Sequence, residues 1–244
     1  MTEPQLYGDL STWYRLLTPK EEYEDEAEMY RAIFARAVPG ASTLLELGAG
    51  AGHNAFHLKA HYECTLTDLS EPMLALSRDL NPDCEHALGD MRTLRLDRVF
   101  DLVLIHDAVM YMRTRSDLRA AVETALSHLR PGGAALFVPD YVKETFVGGR
   151  QVFERDEPGR SMVCVEWDWD PDPEDDTFIG DYVFVLQEGG GEVRVVRDRH
   201  EVSCFPRRVW MDTLRAVGFE PELLIQANAA PYDAQEVFLG VKGG

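Results

Sequence analysis

TLLELGAGAG, residues 43–52, joins a short apolar run to a turn that contains three glycines. The apolar run is typical of a buried parallel strand, because helices cover both faces of such a strand and the polar alternation disappears. Gly48, Gly50 and Gly52 then predict a sharp turn into a helix. Glycine has no Cβ atom, so a ligand can approach the backbone of this turn and meet its N–H groups. The run and turn predict a nucleotide-like cofactor above the carboxyl end of a first strand.

Polar residues also stand at the ends of the next three predicted strands. Asp68 ends the second strand, Asp90 follows the third, and His106 follows the fourth. An acidic residue at the tip of the second strand is placed to accept both hydroxyls of a ribose. A lone glycine-rich turn can be purely structural, but packing alone does not explain four strand ends that all carry polar residues.

Taken in order, these motifs resemble those of class I S-adenosylmethionine-dependent methyltransferases. The matching motifs are Glu46-x-Gly48-x-Gly50-x-Gly52, Asp68, Gly89-Asp90-Met91 and Leu129-Arg130-Pro131-Gly132-Gly133. The resemblance implies an α/β fold with a Rossmann-like, seven-stranded, mostly parallel sheet and helices on both faces. It also implies S-adenosylmethionine as the cofactor. An NAD-dependent oxidoreductase is a more remote alternative, because its usual Gly-x-Gly-x-x-Gly spacing is absent here.

The resemblance assigns a set of residues to the cofactor. Leu69 would lie under the adenine, and Asp90 would receive its exocyclic amine with Met91 beside the ring. Residues 1–38 would form a helical lid that brings Tyr14 towards the methionine end. The expected cofactor-binding residues are Tyr14, Tyr23, Glu46, Gly48, Ala49, Gly50, Asp68, Leu69, Met73, Asp90, Met91 and His106.

The candidates for catalysis are Tyr14, Tyr111 and His200. The pair His106-Asp107 could also be a general base with its orienting carboxylate, or His106 could contact the methionine portion of the cofactor. Tyr111 follows the fourth strand and could reach the acceptor, although the ordinary tyrosine pKa of about 10 makes it a modest base. Asp198 and His200 alternate onto one strand face, where they could form a base or a structural hydrogen bond.

Residues 142–204 depart from a minimal methyltransferase. The β-type runs 162–169, 178–187 and 192–202 occur here, and Gly189-Gly190-Gly191 is a hairpin signal between the last two. We expect a small antiparallel β subdomain inserted into a cofactor-binding domain formed by the two segments 39–141 and 205–244. The insertion could shape the acceptor pocket, form a homodimer contact, or do both.

The insertion also resembles that of the dTDP-aminosugar N,N-dimethyltransferases. The similar positions are Lys143-Glu144-Thr145-Phe146, Asp198-x-His200 and Phe205. This resemblance implies N-methylation of a small amine, with an aminosugar as one option. Pro139-Asp140-Tyr141 and His106-Asp107 depart from the family pattern and leave a different acceptor open. O-methylation of a small metabolite is the main alternative, and a cofactor-binding protein without catalysis is another.

The composition limits the kinds of partner that we expect for this chain. A formal net charge of −19 disfavours DNA or RNA as the acceptor. No apolar run approaches the roughly 20 residues of a membrane span, and no secretory signal pattern is evident, so we expect a cytoplasmic protein. Four separated cysteines are typical of reduced structural thiols. His53, His57 and His61 lack the carboxylate of a zinc-binding helix, so we expect an exposed or loosely packed stripe and no metal.

Overall fold

A seven-stranded sheet runs through the computed structural model, which describes residues 4–227 and 234–244. The strands of the described residues, in order, are β1 (Thr43–Leu47), β2 (Glu63–Asp68), β3 (Glu85–Leu88), β4 (Phe100–His106), β5 (Leu129–Val138), β6 (Gly149–Glu157), β7 (Arg160–Trp169), β8 (Thr177–Glu188), β9 (Arg194–Ser203), β10 (Phe219–Ala227) and β11 (Ala234–Lys242). The large sheet has the order β10-β11-β5-β4-β1-β2-β3, and only β11 runs antiparallel to its neighbours. The predicted Rossmann-like fold is confirmed.

The strand order places a crevice beside the glycine turn. The chain passes from β1 to β2 and β3 on one side and then returns to the other side of β1 as β4. In open α/β sheets, ligands bind where the strand order reverses in this way, outside the carboxyl ends of the strands. The ends of β1 and β4 therefore define the candidate site.

Helices cover both faces of the large sheet. They are α1 (Ser11–Leu17), α2 (Glu24–Ala37), α3 (His53–Leu58), α4 (Glu71–Leu80), α5 (Arg115–Ser127) and α6 (Arg207–Val217), with 3₁₀ turns at Gln5–Tyr7, Lys20–Tyr23 and Ala108–Tyr111. Tyr30 and Phe34 of α2 are fully buried against one face, and Trp210 of α6 is buried against the other. The Ser70 hydroxyl accepts the Met73 N–H and so caps the first turn of α4.

The inserted residues form a separate four-stranded antiparallel sheet in the order β6-β7-β8-β9, as expected for the insertion. Strand β6 was not expected from the sequence, because most of its residues are exposed and its apolar alternation is weak. The inner face of this second sheet packs on the amino-terminal residues, where Leu10 and Trp13 contact the cluster that includes Cys164 and Phe184. This core joins the second sheet to the start of the chain.

The first residues bridge the two sheets. The Leu6 N–H donates to an Asp198 oxygen on β9 at 2.8 Å. One residue later, the Tyr7 carbonyl accepts the Ser70 hydroxyl at 2.6 Å, beside the end of β2. Residues 5–17 are thereby held above the crevice, between the large sheet and the second sheet.

The expectation of an exposed histidine stripe is wrong for His53. This side chain is 4% exposed, because α3 begins directly under Tyr14 and Tyr23, whose rings lie 5.7 and 5.0 Å from the imidazole. Within residues 4–227 and 234–244, no group of three His, Cys, Asp or Glu side chains is arranged to hold a metal ion. In the same part of the chain, no helix combines the length and apolarity that crossing a bilayer requires.

Candidate active site

The glycine turn crosses over the end of β2 and uses its own amides there. The N–H groups of Gly48 and Ala49 both donate to the Thr67 carbonyl at 2.8 Å. The Gly50 N–H donates to an Asp68 carboxylate oxygen, also at 2.8 Å. These three N–H groups of the turn therefore already have acceptors at the end of β2.

The glycines allow backbone angles and close packing that a side chain would prevent. Gly48 and Gly50 have φ angles of +76° and +54°, which residues with a Cβ atom rarely adopt. A Cβ atom on Gly48 would lie 2.4 Å from the Ala108 Cβ and 2.8 Å from the Met91 Cε. A Cβ atom on Gly50 would lie 3.6 Å from the Met73 Cε. The bare backbone of the turn thus borders Met91 and Met73, two of the side chains that were expected to contact the cofactor.

Asp68 is held in one orientation at the tip of β2. Its two oxygens accept the N–H groups of Gly50 and Ser70, each at 2.8 Å. Burial raises the pKa of Asp68, and these backbone hydrogen bonds oppose the rise. A carboxylate oxygen has two lone pairs, so both oxygens can still accept a ribose hydroxyl. The next side chain, Leu69, is 62% exposed and offers an apolar surface for a planar ring.

Arg92 holds the Asp90 carboxylate from one side. Its Nη2 lies 2.6 Å from Asp90 Oδ2, and its Nη1 donates to Asp117 at 3.1 Å. The hydrogen bond from Arg92 lowers the pKa of Asp90, which keeps this carboxylate ionised as an acceptor. Arg92 was missed from the sequence, although a basic residue two positions after an expected adenine contact was a readable signal.

His106, at the end of β4, lies between two carboxylates. Its Nε2 is 2.9 Å from Asp107 Oδ1 and 3.3 Å from Glu26 Oε2, and its Nδ1 is 3.2 Å from Asn54 Nδ2. Burial alone would lower the pKa of His106, but the Asp107 and Glu26 carboxylates outweigh burial and raise the pKa well above its ordinary value. Both ring nitrogens therefore already have partners within the protein.

Two carboxylate oxygens without partners are buried near the ends of β1 and β4. Glu46 is 3% exposed, and its Oε2 has no hydrogen-bond partner among the described residues. Glu26 Oε1 is buried without a partner in the same sense. Burial raises the pKa of Glu46 to about 8. Acceptors of this kind suit the ammonium group of S-adenosylmethionine, as Asp68 suits its ribose and the glycine turn suits close contact. The residues present fit this cofactor.

A hydrogen-bonded chain of side chains lies on the second-sheet side of the crevice. The Tyr111 hydroxyl is 2.6 Å from His200 Nδ1 and 3.0 Å from the Tyr7 hydroxyl. His200 Nε2 is 3.0 Å from an Asp198 oxygen. Two of the expected catalytic residues, Tyr111 and His200, are thus brought together. The third, Tyr14, lies apart from them, with its hydroxyl near Gly50.

Two acidic side chains of β7 face the same space. Glu166 accepts the Tyr182 hydroxyl at 2.5 Å, and the Tyr182 ring lies 4.6 Å from the His200 ring. Burial raises the pKa of Glu166, and burial together with Glu166 raises the pKa of Asp168 to about 7. Within the described residues, neither carboxylate forms an ion pair with a lysine or arginine. Both were missed from the sequence, although they continue the inward alternation of Met162 and Cys164.

Known proteins share sequence and fold with this chain. Residues 44–133 match the family model of a methyltransferase domain. The chain is 31% identical over 209 residues to dTDP-3-amino-3,4,6-trideoxy-α-D-glucopyranose N,N-dimethyltransferase of Streptomyces venezuelae, with 84% of this chain and 86% of the relative covered. The crystal structure of Streptomyces venezuelae DesVI superimposes with a TM-score of 0.85 at 27% identity, and the match covers 97% of this chain and 98% of DesVI.

A third comparison extends the likeness in fold. CalS10 of Micromonospora echinaspora, an amino pentose methyltransferase solved with bound S-adenosylmethionine, has a TM-score of 0.80 at 24% identity. The match covers 96% of each chain. This chain therefore shares its fold with DesVI and CalS10 along nearly its whole length.

Proposed function

This chain belongs to the class I S-adenosylmethionine-dependent methyltransferases, and we propose that its acceptor is the amino group of a small aminosugar. S-adenosylmethionine, when bound, supplies a methyl group on a positively charged sulfur that is already activated for transfer. The protein then has to hold a neutral amine in line with that methyl group. The space between the glycine turn and the second sheet would hold both molecules.

The observation that carries the proposal is the pair of half-buried carboxylates, Glu166 and Asp168. Buried acidic groups without a cationic partner are costly, and a ligand that brings an ammonium group relieves that cost. An acceptor hydroxyl would bring no compensating charge. The neighbouring rings of Tyr182, Tyr7 and Tyr111 favour a cation further, because aromatic faces attract positive charge. The named S. venezuelae relative is itself an N,N-dimethyltransferase of an aminosugar.

An acceptor comparison tests the proposal. The protein is incubated with S-adenosylmethionine and dTDP-3-amino-3,4,6-trideoxy-α-D-glucose, or with the analogue that has a hydroxyl in place of the amine. We expect mass spectrometry to show methyl addition to the amine and none to the hydroxyl compound. Equal methylation of the hydroxyl analogue would establish the O-methyltransferase alternative instead.

Variants of the two carboxylates provide a second test. Glu166→Gln and Asp168→Asn should each raise the KM for the amine about tenfold, because a charge-assisted contact is lost. The affinity for S-adenosylmethionine should be unchanged in calorimetry. Asp181→Asn is the matched control, since Asp181 lies on the outer face of β8 and pairs with Arg199.

We also propose that Asp68 binds the cofactor ribose within the expected cofactor-binding set. Asp68→Ala removes the fixed acceptor and should weaken S-adenosylmethionine binding by roughly tenfold to a hundredfold. Calorimetric titration measures the change, and Asp83→Ala at an exposed ion pair is the control. Undiminished affinity of Asp68→Ala would refute the ribose assignment.

We propose further that two copies of the chain pair through the outer face of the second sheet. Val152, Trp167 and Val195 on that face are 59%, 52% and 60% exposed. One ion pair lies within this face, since Arg199 is 2.7 Å from Asp181. In a chain of net charge −19, exposed apolar side chains on one sheet face give a second copy a surface that it can bury.

Sedimentation at micromolar concentration tests the pairing. Wild-type protein should sediment as a dimer, and Trp167→Glu should sediment as a monomer. Val147→Glu, at a 92% exposed position outside the strands, should remain dimeric. A monomeric wild-type protein would end the proposal.

A further inference from the structure

We infer that Tyr7 receives the proton of the acceptor amine and passes it through Tyr111 to His200; this inference rests on the proposed amine acceptor. The three side chains come from the first 3₁₀ turn, the 3₁₀ turn after β4 and strand β9. Their polar atoms lie at 3.0 Å and 2.6 Å along the chain, and Asp198 follows at 3.0 Å. No gap interrupts the path from Tyr7 to the buried carboxylate.

Counting protons shows which group donates in each of these hydrogen bonds. His200 Nε2 faces the Asp198 carboxylate, which can only accept, so the proton of a neutral imidazole is assigned to Nε2. Nδ1 is then an acceptor, and the shorter Tyr111 contact is a hydrogen bond donated by the hydroxyl. A hydroxyl has one proton, so Tyr111 must accept from Tyr7. The remaining lone pair of the Tyr7 oxygen is free to accept a proton from a ligand.

Tyr7 stands where the cofactor side and the second sheet meet. Its ring lies 6.2 Å from the Tyr14 ring, whose hydroxyl borders Gly50. Its carbonyl accepts the hydroxyl of Ser70, and the N–H of Ser70 donates to Asp68. On the other side its ring lies 5.7 Å from Tyr111. An amine placed between the glycine turn and the second sheet would thus meet Tyr7 first.

The proton steps balance without any other reactant. An acceptor ammonium donates one N–H proton to the Tyr7 oxygen while the Tyr7 proton moves to Tyr111 and the Tyr111 proton moves to His200 Nδ1. The products are a neutral amine, two neutral tyrosines and an imidazolium beside the Asp198 carboxylate. The amine lone pair can then take the methyl group, and the C–S bond electrons stay on sulfur. His200 returns its proton to solvent after the products leave.

The surroundings suit a shuttle made of hydroxyls. Burial raises the pKa of both Tyr7 and Tyr111 well above the ordinary value, so each keeps its proton between transfers. The groups facing His200 are Asp198 on its own strand, Tyr182 on β8, and Tyr7 and Tyr111 from the two 3₁₀ turns. Glu166 on β7 adds a further carboxylate behind Tyr182. These are the titratable groups that lie around His200 within the described residues.

The pH dependence of a Tyr7→Phe variant tests the relay, with dTDP-3-amino-3,4,6-trideoxy-α-D-glucose as the probe. Loss of the relay should lower kcat about a hundredfold at pH 7, as expected for lost general-base catalysis. The deficit should shrink to less than about fivefold at pH 10, because the amine then binds already neutral. A purely structural role would give a deficit that does not change with pH. Tyr62→Phe, which removes a hydroxyl far from the site, is the control and should keep wild-type activity.

A second arm keeps the test decisive if Tyr7→Phe folds poorly. His200→Asn and Asp198→Asn should show the same pH-dependent deficit, with unchanged calorimetric affinity for S-adenosylmethionine. Because the groups act in series, Tyr7→Phe combined with His200→Asn should be no slower than the slower single variant. Multiplied deficits, or deficits that do not change with pH, would overturn the relay. Failure of the amine proposal is distinguishable, because wild-type protein would then not methylate the probe at all.

Discussion

Gly48 shows how much of the site depends on one missing side chain. We predict that Gly48→Ala lowers the free energy of unfolding by about 1–3 kcal/mol. The new Cβ atom would clash with Ala108, and residue 48 would have to keep a positive φ that alanine disfavours. The variant should also bind S-adenosylmethionine more weakly. Urea unfolding and calorimetry measure the two effects. Gly40→Ala is the control, since Gly40 has a φ of +79° but no atom within 4 Å of an added Cβ. Equal losses in both variants would mean that φ alone matters.

Glu46 should make stability depend on pH. Burial raises its pKa from 4.5 to about 8, so between those values the folded chain holds a proton that the unfolded chain has released. The free energy of unfolding therefore falls as the pH rises through this window. Relative to wild type, Glu46→Gln should lose about 1–2 kcal/mol less between pH 6 and pH 8 in the absence of cofactor.

Urea unfolding at the two pH values measures the Glu46 effect. Asp168, whose pKa is also raised, adds to the wild-type slope in the same direction and remains in both proteins. Glu220→Gln, at an exposed position, should behave like wild type. An unchanged slope in Glu46→Gln would show that this carboxyl does not hold its proton.

At the scale of elements, the amino-terminal residues and the second sheet depend on one small core. Leu10 is 1% exposed in the cluster that joins α1 to β7 and β8. We predict that Leu10→Ala lowers the free energy of unfolding by about 2–5 kcal/mol, through lost burial and the cavity left behind. Denaturant unfolding measures the change. Leu88→Ala, at a 55% exposed position, should cost far less. Similar losses would mean that the second sheet does not need this core.

The elements also show which features a sequence can predict. The cofactor side could be predicted from the sequence because most of its expected residues follow strand ends within one continuous stretch, from Glu46 to His106. The acceptor side was only partly readable. Tyr7, Glu166 and Tyr182 meet through long-range packing that no local spacing records. Glu166 and Asp168 did leave a trace, since they occupy alternate positions that Met162 and Cys164 begin.

At the scale of the whole molecule, the net charge of −19 should act in opposite ways on S-adenosylmethionine and on the proposed nucleotide-linked aminosugar. S-adenosylmethionine carries a net positive charge and a dTDP-aminosugar a net negative one. We predict that raising NaCl from 20 to 300 mM weakens S-adenosylmethionine binding about twofold to fivefold and lowers the KM for the nucleotide sugar. S-adenosylhomocysteine, with no net charge, is the control in calorimetry. An equal shift for both cofactor forms would rule out the field as the cause.

Successive side chains of strand β7 serve two different surfaces. Glu166 and Asp168 face the pocket, while Trp167 and Trp169 point the opposite way. Inserting or deleting one residue in this strand would move its side chains to the opposite face of the sheet. The two carboxylates would then face solvent, and the two indole rings would face the pocket. Specificity for a new acceptor can therefore evolve by substitutions in β7. A change in the length of β7 would instead disrupt acceptor binding and pairing of two copies at the same time.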